Sequence, residues 1–560
     1  MAKNITKLYA AFRSGCLGDN ILDVYFPFFA NIIYEENWDI VADVEVAKKF
    51  NEKYDFSLPL TFVRQVLGVG MNNNLIFNDR GQYRANKEKL KKYSLDDSEF
   101  NVLWLEMIES FKSFCVDNDN EILSFDIENR IMSFLDSYDE AVITNELYIT
   151  DQSDALDFAW HSFVKDLSNT NSKLFDFVVA LSSSNIMLQT AFYSGEVIET
   201  YKGLNVYLDS PIVFSLLGMD SPDRVDSCKM LVSEMQKAGC NVMIFDHNFE
   251  EINGIMARTS GWVYSAEYDI QKANNVAQYF HDILIEAPAI AEFCESIETK
   301  LNEMGITIKR TIYNSSKNDF QEDEEELYSM IEERYSQQGF AIQEDKKSSI
   351  MTDVRSIIMV YRERSGQTST KIQTSGHIMI TLNATIANVS KKYESNRSIQ
   401  SGHIPACISS DLFGAVLWLF NPSTRMEYQR KRLLADCYVA LRPSKEMLEK
   451  YMDSLLRART AGEIDEKAFL FMRAHSAVND ALMNVTKGDY ARFNDQTYRE
   501  VYEQIIDQAN KKYIDEASSH MNTKEQLEVE KCKIEKLTKS VEDLQAILDA
   551  KDKSDFDKKC

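Results

Sequence analysis

A chain of 560 residues is too long for one ordinary hydrophobic core, and at roughly 150 residues per domain it suggests three or four packed units. Its 44% hydrophobic and 27% charged residues, with only 19 Gly and 8 Pro, exclude a long disordered chain, and no run approaches the apolar length of a membrane span. The formal charge of −26 argues against non-specific coating of DNA or RNA, so a polyanion must be met locally, by a basic patch or through bound metal.

The opening MAKNITKLYAAFRSGC carries no apolar block and no small-residue cleavage site, so the expected location is cytoplasmic, with no membrane partner. Nine cysteines lie scattered without a CxxC pair, which indicates neither a zinc ribbon nor a disulfide framework. Residues 1–92 read as helix, helix, helix and a Gly-turned hairpin at Asp79-Arg80-Gly81, a winged-helix-like outline. In a DNA-binding version Thr61, Arg64 and Gln65 would face a groove and Arg80 and Arg84 would reach phosphate; packing on a protein partner is the favoured alternative.

Residues 93–203 are helical by pattern, with aromatics such as Trp104, Phe111, Trp160 and Phe177 at core spacing, and are expected to form a helical spacer domain. From 204 the pattern changes to strand, helix, strand: LNVYLD, CKMLVSEMQKAG, CNVMIFD. This predicts an α/β domain over 204–422 with a mainly parallel central sheet. Residues 271–345 break the alternation and are expected to be a helical insertion, its acidic run DFQEDEEEL a solvated helix start or loop. The α/β signals return with SIIMVYRERSG and HIMITLNATIANVSKKY. A helical domain is expected over 423–521. A short coiled coil or tail follows over 522–560, where Leu527, Ile534, Val541 and Leu548 share one heptad position and offer a route to a homo-oligomer.

Asp209 closes an apolar strand, and ligands of open α/β sheets bind at that edge. Glu250 and Glu251 fall in the first turn of the helix after CNVMIFD, Asp353 precedes the apolar helix VRSIIMVY, and Thr381 and Asn383 follow HIMIT. Hard divalent cations need clustered carboxylate oxygens, and Asp209, Glu251 and Asp353 supply them for Mg2+ or Mn2+. Asp411 is a further candidate, although capping of the helix LFGAVLWLF is the favoured role for it. Candidate phosphate contacts are Arg355, Arg362, Arg364, Lys391, Lys392, Arg425, Arg430, Lys431 and Arg432. His247, His377 and His403 have no metal-ligand spacing, and no GxSxG elbow supports a serine hydrolase.

In the order VYLDSPIVF, FEEI, TDVRSI and ITLN, residues 204 to about 420 resemble the PIN domain family of nucleases. That resemblance implies a metal-dependent nuclease in which Asp209, Glu251 and Asp353 bind metal and Thr381 and Asn383 complete the catalytic set. It also implies RNA in preference to DNA as substrate. A regulated bacterial effector, as in phage defence, with a regulatory protein partner would fit the same family. Glu251 is preferred over Glu250 because the family's glutamate usually precedes an apolar residue, here Ile252; Asn383 stands where many members carry Asp. The alternatives are a catalytically inactive PIN-like scaffold and a nucleic-acid-binding regulator led by the N-terminal module.

Overall fold

The computed structural model describes residues 21–118, 127–135, 155–182, 201–417 and 422–507, except 55–57, 59, 80–81, 92–97, 129, 133, 264, 266–267, 269–274, 283–286, 312, 314–319, 338–343, 398–402 and 475–476. The chain divides into two compact units, Met1–Glu449 with Thr486–Phe493, and Lys450–Val485 with Asn494–Cys560. The first takes in what the sequence pattern separates into a winged-helix-like module, a spacer and an α/β domain. The coiled coil expected over 522–560 lies outside the described residues.

The N-terminal part runs α1 (Ile21–Glu35), β1 (Ile40–Val41), α2 (Asp43–Tyr54), α3 (Leu60–Asn72), β2 (Ile76–Asp79) and β3 (Gln82–Ala85). Its strands form an antiparallel sheet in the order β1-β3-β2. Three helices follow: α4 (Ser98–Asp117), α5 (Ala155–Thr170) and α6 (Ser172–Leu181). Burying Phe26, Phe29 and Phe62 of the first part together with Phe111, Trp160 and Phe177 of the second produces one continuous core. Aromatic side chains bury the most area per residue, so sharing them joins these segments into one body.

The α/β part begins with β4 (Asn205–Leu208), α7 (Ser210–Leu216), α8 (Pro222–Lys237), β5 (Asn241–Phe245) and α9 (Asp246–Trp262). It continues with α10 (Ala287–Glu303), β6 (Thr307–Lys309), α11 (Glu324–Gln337) and α12 (Glu344–Glu363). It closes with β7 (His377–Thr381), α13 (Ala384–Arg397), β8 (Cys407–Ser409), α14 (Ser410–Leu417) and α15 (Pro422–Ala440). Ser221 caps α8 through the Arg224 N–H at 3.4 Å, and Pro222 opens the helix with its φ already set. Gly239, at φ +89°, turns the chain from α8 into β5 where an added Cβ would stand 3.3 Å from the Lys202 backbone.

All five strands of the second sheet are parallel, in the order β6-β5-β4-β7-β8. Near-continuous apolar runs such as NVYL and HIMIT suit strands covered on both faces, and Val206, Tyr207, Leu208, Ile378, Met379 and Ile380 are all buried. The chain enters the sheet at β4, winds outward to β6, then returns to build β7 and β8 on the other side of β4. The winding therefore reverses between β4 and β7, the place where a crevice opens at the carboxyl ends of the strands.

Two expectations need correction. Part of the expected insertion, Thr307–Lys309, is the edge strand β6 paired with β5, so only the segment beyond it is added to the sheet framework. Three residues are too short for an alternation to register. The acidic run does start a helix, α11, with Asp323 accepting from the Glu326 N–H at 2.9 Å, but part of it faces inward. Glu324 pairs with Arg362 at 3.0 Å, and Glu322 is paired with Arg397 and accepts from the Tyr393 hydroxyl.

Helix α15 packs on α8, α5 and α6 and thus joins the α/β part to the helical core. Arg430 grips Asp176 with two bonds of 2.6 Å, Lys431 reaches Asp223 at 3.1 Å, and Arg432 is buried with a bond of 3.2 Å to the Ser182 carbonyl. The second unit is helical where described, and buries Leu455, Phe469, Met472, Leu482 and Val501.

Candidate functional site

Register sets the site. Leu208 lies beside Ile380, so the next residue on each strand, Asp209 and Thr381, emerge side by side across the switch point. The Thr381 hydroxyl donates to Asp209 Oδ2 at 2.6 Å, and the Ser210 backbone N–H donates to Oδ1 at 2.8 Å as α7 begins. Asp209 is 3% exposed and Thr381 0%. Burial holds the Asp209 carboxyl above the usual carboxylate range against the opposing pull of those two bonds.

Glu251 comes from the first turns of α9, the helix that leaves the neighbouring strand. Its Oε2 accepts from the Ser210 hydroxyl at 2.6 Å. Burial raises its pKa, the Ser210 bond lowers it, and the charges of Asp209 and Arg258 act in opposite senses. Glu250 is exposed, so of the two glutamates it is Glu251 that turns to the crevice. Asp353, expected just ahead of a helix, is instead buried midway along α12, because the helix already begins at Glu344. The Tyr335 phenol and the Cys407 thiol are each raised first by burial and also by the charges of both Asp353 and Asp209, so both acids act on the same two buried groups.

Behind Glu251 runs a buried polar chain. Asn248 donates to the Ser210 oxygen at 3.4 Å, the Ser356 hydroxyl donates to Asn248 Oδ1 at 3.0 Å, and His247 Nε2 lies 2.9 Å from Ser356 Oγ. The Ser356 hydroxyl also reaches the Thr352 carbonyl at 2.9 Å, so its one proton has two acceptors to serve. Sequence reasoning missed both Asn248 and Ser356: Asn248 offered a signal, standing three residues before Glu251 on one helix face, and Ser356 offered none.

Comparison of the chain with protein-family models, with curated proteins and with solved structures finds no match.

The remaining candidates separate into those at the crevice and those elsewhere. Asn383 donates its backbone N–H to Thr381 Oγ1 at 2.8 Å, but its Oδ1 accepts from the Thr385 N–H at 3.1 Å and caps α13. One lone pair of its amide oxygen is thus already engaged by the backbone. Asp411 accepts from the Tyr428 hydroxyl at 2.9 Å and acts electrostatically on Arg224 and Asp436. It is not the helix cap, since Ser409 Oγ meets the Leu412 N–H at 3.2 Å.

Among the cations, Arg362 is 7% exposed and bonded to Gln321 and Glu324, which removes it from the phosphate set. Arg364 spends its guanidinium on the carbonyls of His377, Ile404 and Pro405. Arg430, Lys431 and Arg432 hold α15, and the side chain of Arg425 lies outside the described residues. Arg355, Lys391 and Lys392 are exposed and form no ion pair among the described residues. So does Arg258, which sequence reasoning missed although it shares a face of α9 with Glu251.

Among the described residues no three His, Cys, Asp or Glu side chains are gathered closely enough to enclose a metal ion. The donors nevertheless suit a hard cation in chemical kind. Asp209 is buried and Glu251 half-buried, neither forms a salt bridge among the described residues, and the Arg258 charge acts on Glu251. Magnesium uses one or two carboxylates and otherwise keeps water, so a full three-acid cage is not required.

Proposed function

We propose that the protein is a metal-dependent nuclease of PIN-like fold that hydrolyses phosphodiester bonds, RNA in preference to DNA. The observation that carries this reading is the Asp209–Thr381 bond of 2.6 Å at the switch point of a parallel five-stranded sheet. Glu251 is tied to the same strand end through the Ser210 hydroxyl, and the charge of Asp353, on α12, acts on Tyr335 as that of Asp209 does. Asp209, Glu251 and Asp353 would hold Mg2+ or Mn2+, which supplies an activated water and charge neutralisation when bound.

The chain's own groups do the rest. Thr381 orients one Asp209 oxygen and the Ser210 N–H the other, while the Ser210 hydroxyl orients Glu251. Arg258 and Arg355 stand on α9 and α12, the helices that carry Glu251 and Asp353, and would bind phosphate where the general charge repels it. The N-terminal part follows the element order of a winged helix. There Arg64 pairs with Asp43 at 2.5 Å, which favours a protein partner over duplex DNA.

An inactive scaffold is the second reading, favoured by the capping role of Asn383. One assay separates the two. Full-length protein with manganese and labelled single-stranded RNA or DNA should cleave RNA faster, lose cleavage in chelator, and lose it on the order of a hundredfold or more in Asp209→Asn. Folded wild type that gives no Asp209-dependent cleavage leaves the scaffold.

A further inference from the structure

Three neighbouring strands end in one row. Leu208 pairs with Ile380, Ile380 with Ile408 and Thr381 with Ser409, so Asp209, Thr381 and Ser409 follow one another across the ends of β4, β7 and β8. Partners in a parallel ladder point to the same face, and residues two apart on a strand share it. Tyr207, Met379 and Cys407, each two residues before a member of the row, pack in one core with Ile350, Val354 and Ile357 of α12. The row therefore lies on the α12 face, at the carboxyl edge. Asp209 and Thr381 meet there through their bond of 2.6 Å, and Ser409 is the third place.

The two hydroxyls of the row are spent differently. Thr381 gives its proton to Asp209 and accepts the Asn383 N–H at 2.8 Å, which leaves it no proton for a ligand. Ser409 accepts the Leu412 N–H at 3.2 Å as the cap of α14, and among the described residues no acceptor takes its proton. It is 7% exposed, so little solvent reaches that donor, and a buried donor left unmet is unfavourable. Ser410, next in the chain, is 2% exposed, and its Oγ has no hydrogen-bond partner among the described residues.

We propose that the Ser409 hydroxyl is a substrate contact that donates to a non-bridging oxygen of the phosphate held beside Asp209. The chemistry divides the row. Carboxylates on β4 and α9 attract a cation and repel an anion, whereas a neutral donor on β8 offers a phosphate oxygen a bond without opposing the cation. Helix α14 starts at Ser410, so the positive end of its dipole adjoins the same hydroxyl, and the acid of its first turn, Asp411, is engaged by the Tyr428 hydroxyl at 2.9 Å.

This inference rests on the nuclease reading and deepens it. Ser409→Gly removes the hydroxyl yet leaves a residue that N-caps helices nearly as well, Ser409→Ala removes it with the cap, and Ser409→Thr keeps both donor and acceptor. Full-length protein carrying Asp209→Asn binds RNA without cleaving it. In that background, anisotropy on labelled single-stranded RNA should show Ser409→Gly and Ser409→Ala each weakening binding about tenfold, and Ser409→Thr staying within about threefold of its parent. With Asp209 restored, Ser409→Gly should raise KM for RNA and leave Mn2+ affinity by calorimetry unchanged. Unchanged RNA affinity in Ser409→Gly, an equal loss in the Gly and Thr variants, or a fall in Mn2+ affinity overturns the phosphate contact, while cleavage by the wild type keeps the nuclease reading. A wild type that neither binds nor cleaves RNA overturns both.

Discussion

His247 shows how much a single residue's role depends on its surroundings. Its imidazole is pushed down to about 4, first by burial and also by the Arg355 charge, with Asp246 opposing. A folded pKa below the unfolded value means that the unfolded chain takes up the proton first. The neutral ring's contribution to stability is present above about 6.5 and is lost as pH falls toward 4. Urea unfolding at pH 7.5 and pH 5 should show wild type losing about 2 kcal/mol more than His247→Gln over that interval. An equal loss in both proteins would remove His247 from the account. At this scale the sequence was informative about residue type and poor about partner. Asp209 and Thr381 were legible because each closes a strand, and Glu251 because it lies near a helix start; Asp353, expected at a helix start, stands midway along α12 because the helix already begins at Glu344. Arg362 was misread, because whether a guanidinium faces solvent or an acid depends on segments far away in the chain.

Among the elements, the turn after α12 makes the clearest demand. Gly366 has φ +73°, and a Cβ there would lie 2.4 Å from the Phe320 ring, the residue that leads into the acidic run. A left-handed conformation alone costs an L-residue roughly 1–2 kcal/mol, and the ring must also move. Gly366→Ala should therefore destabilise by about 2 kcal/mol or more in chemical denaturation; a loss below about 0.5 kcal/mol would show that Phe320 yields freely. Strands β4, β5 and β7 were legible as apolar runs between turn signals. Strand β6 was not, since Thr307–Lys309 is half exposed at a sheet edge and has no pattern of its own. The basic cluster of α15 looked like a phosphate site in one dimension, and in three it is the clamp that ties α8 to α6.

For the whole molecule, charge is the governing quantity. With a net charge of −26, and with Arg258, Arg355, Lys391 and Lys392 the exposed cations proposed for phosphate, RNA is held at only a few points. Each phosphate neutralised on a single strand contributes about −0.7 to the slope of log affinity against log salt, so four contacts limit it to about −3. Fluorescence anisotropy of catalytically dead Asp209→Asn on labelled RNA over a salt series measures this; a slope near −6 would require a basic surface that the described residues lack. No described helix is long and apolar enough to cross a membrane.

The amino-acid sequence by itself determined the α/β character of residues 204–422, the strand ends that carry Asp209 and Thr381, and the helix that carries Glu251. Those features follow from local periodicity and from short-range turn and cap chemistry. Only the tertiary structure decided the strand order, the shared core of the N-terminal segments, the inward turn of the acidic run and the bond between Asn383 and Tyr335. Each of those is a long-range pairing, chosen by which buried charges and hydrogen-bonding groups find partners once the chain has closed.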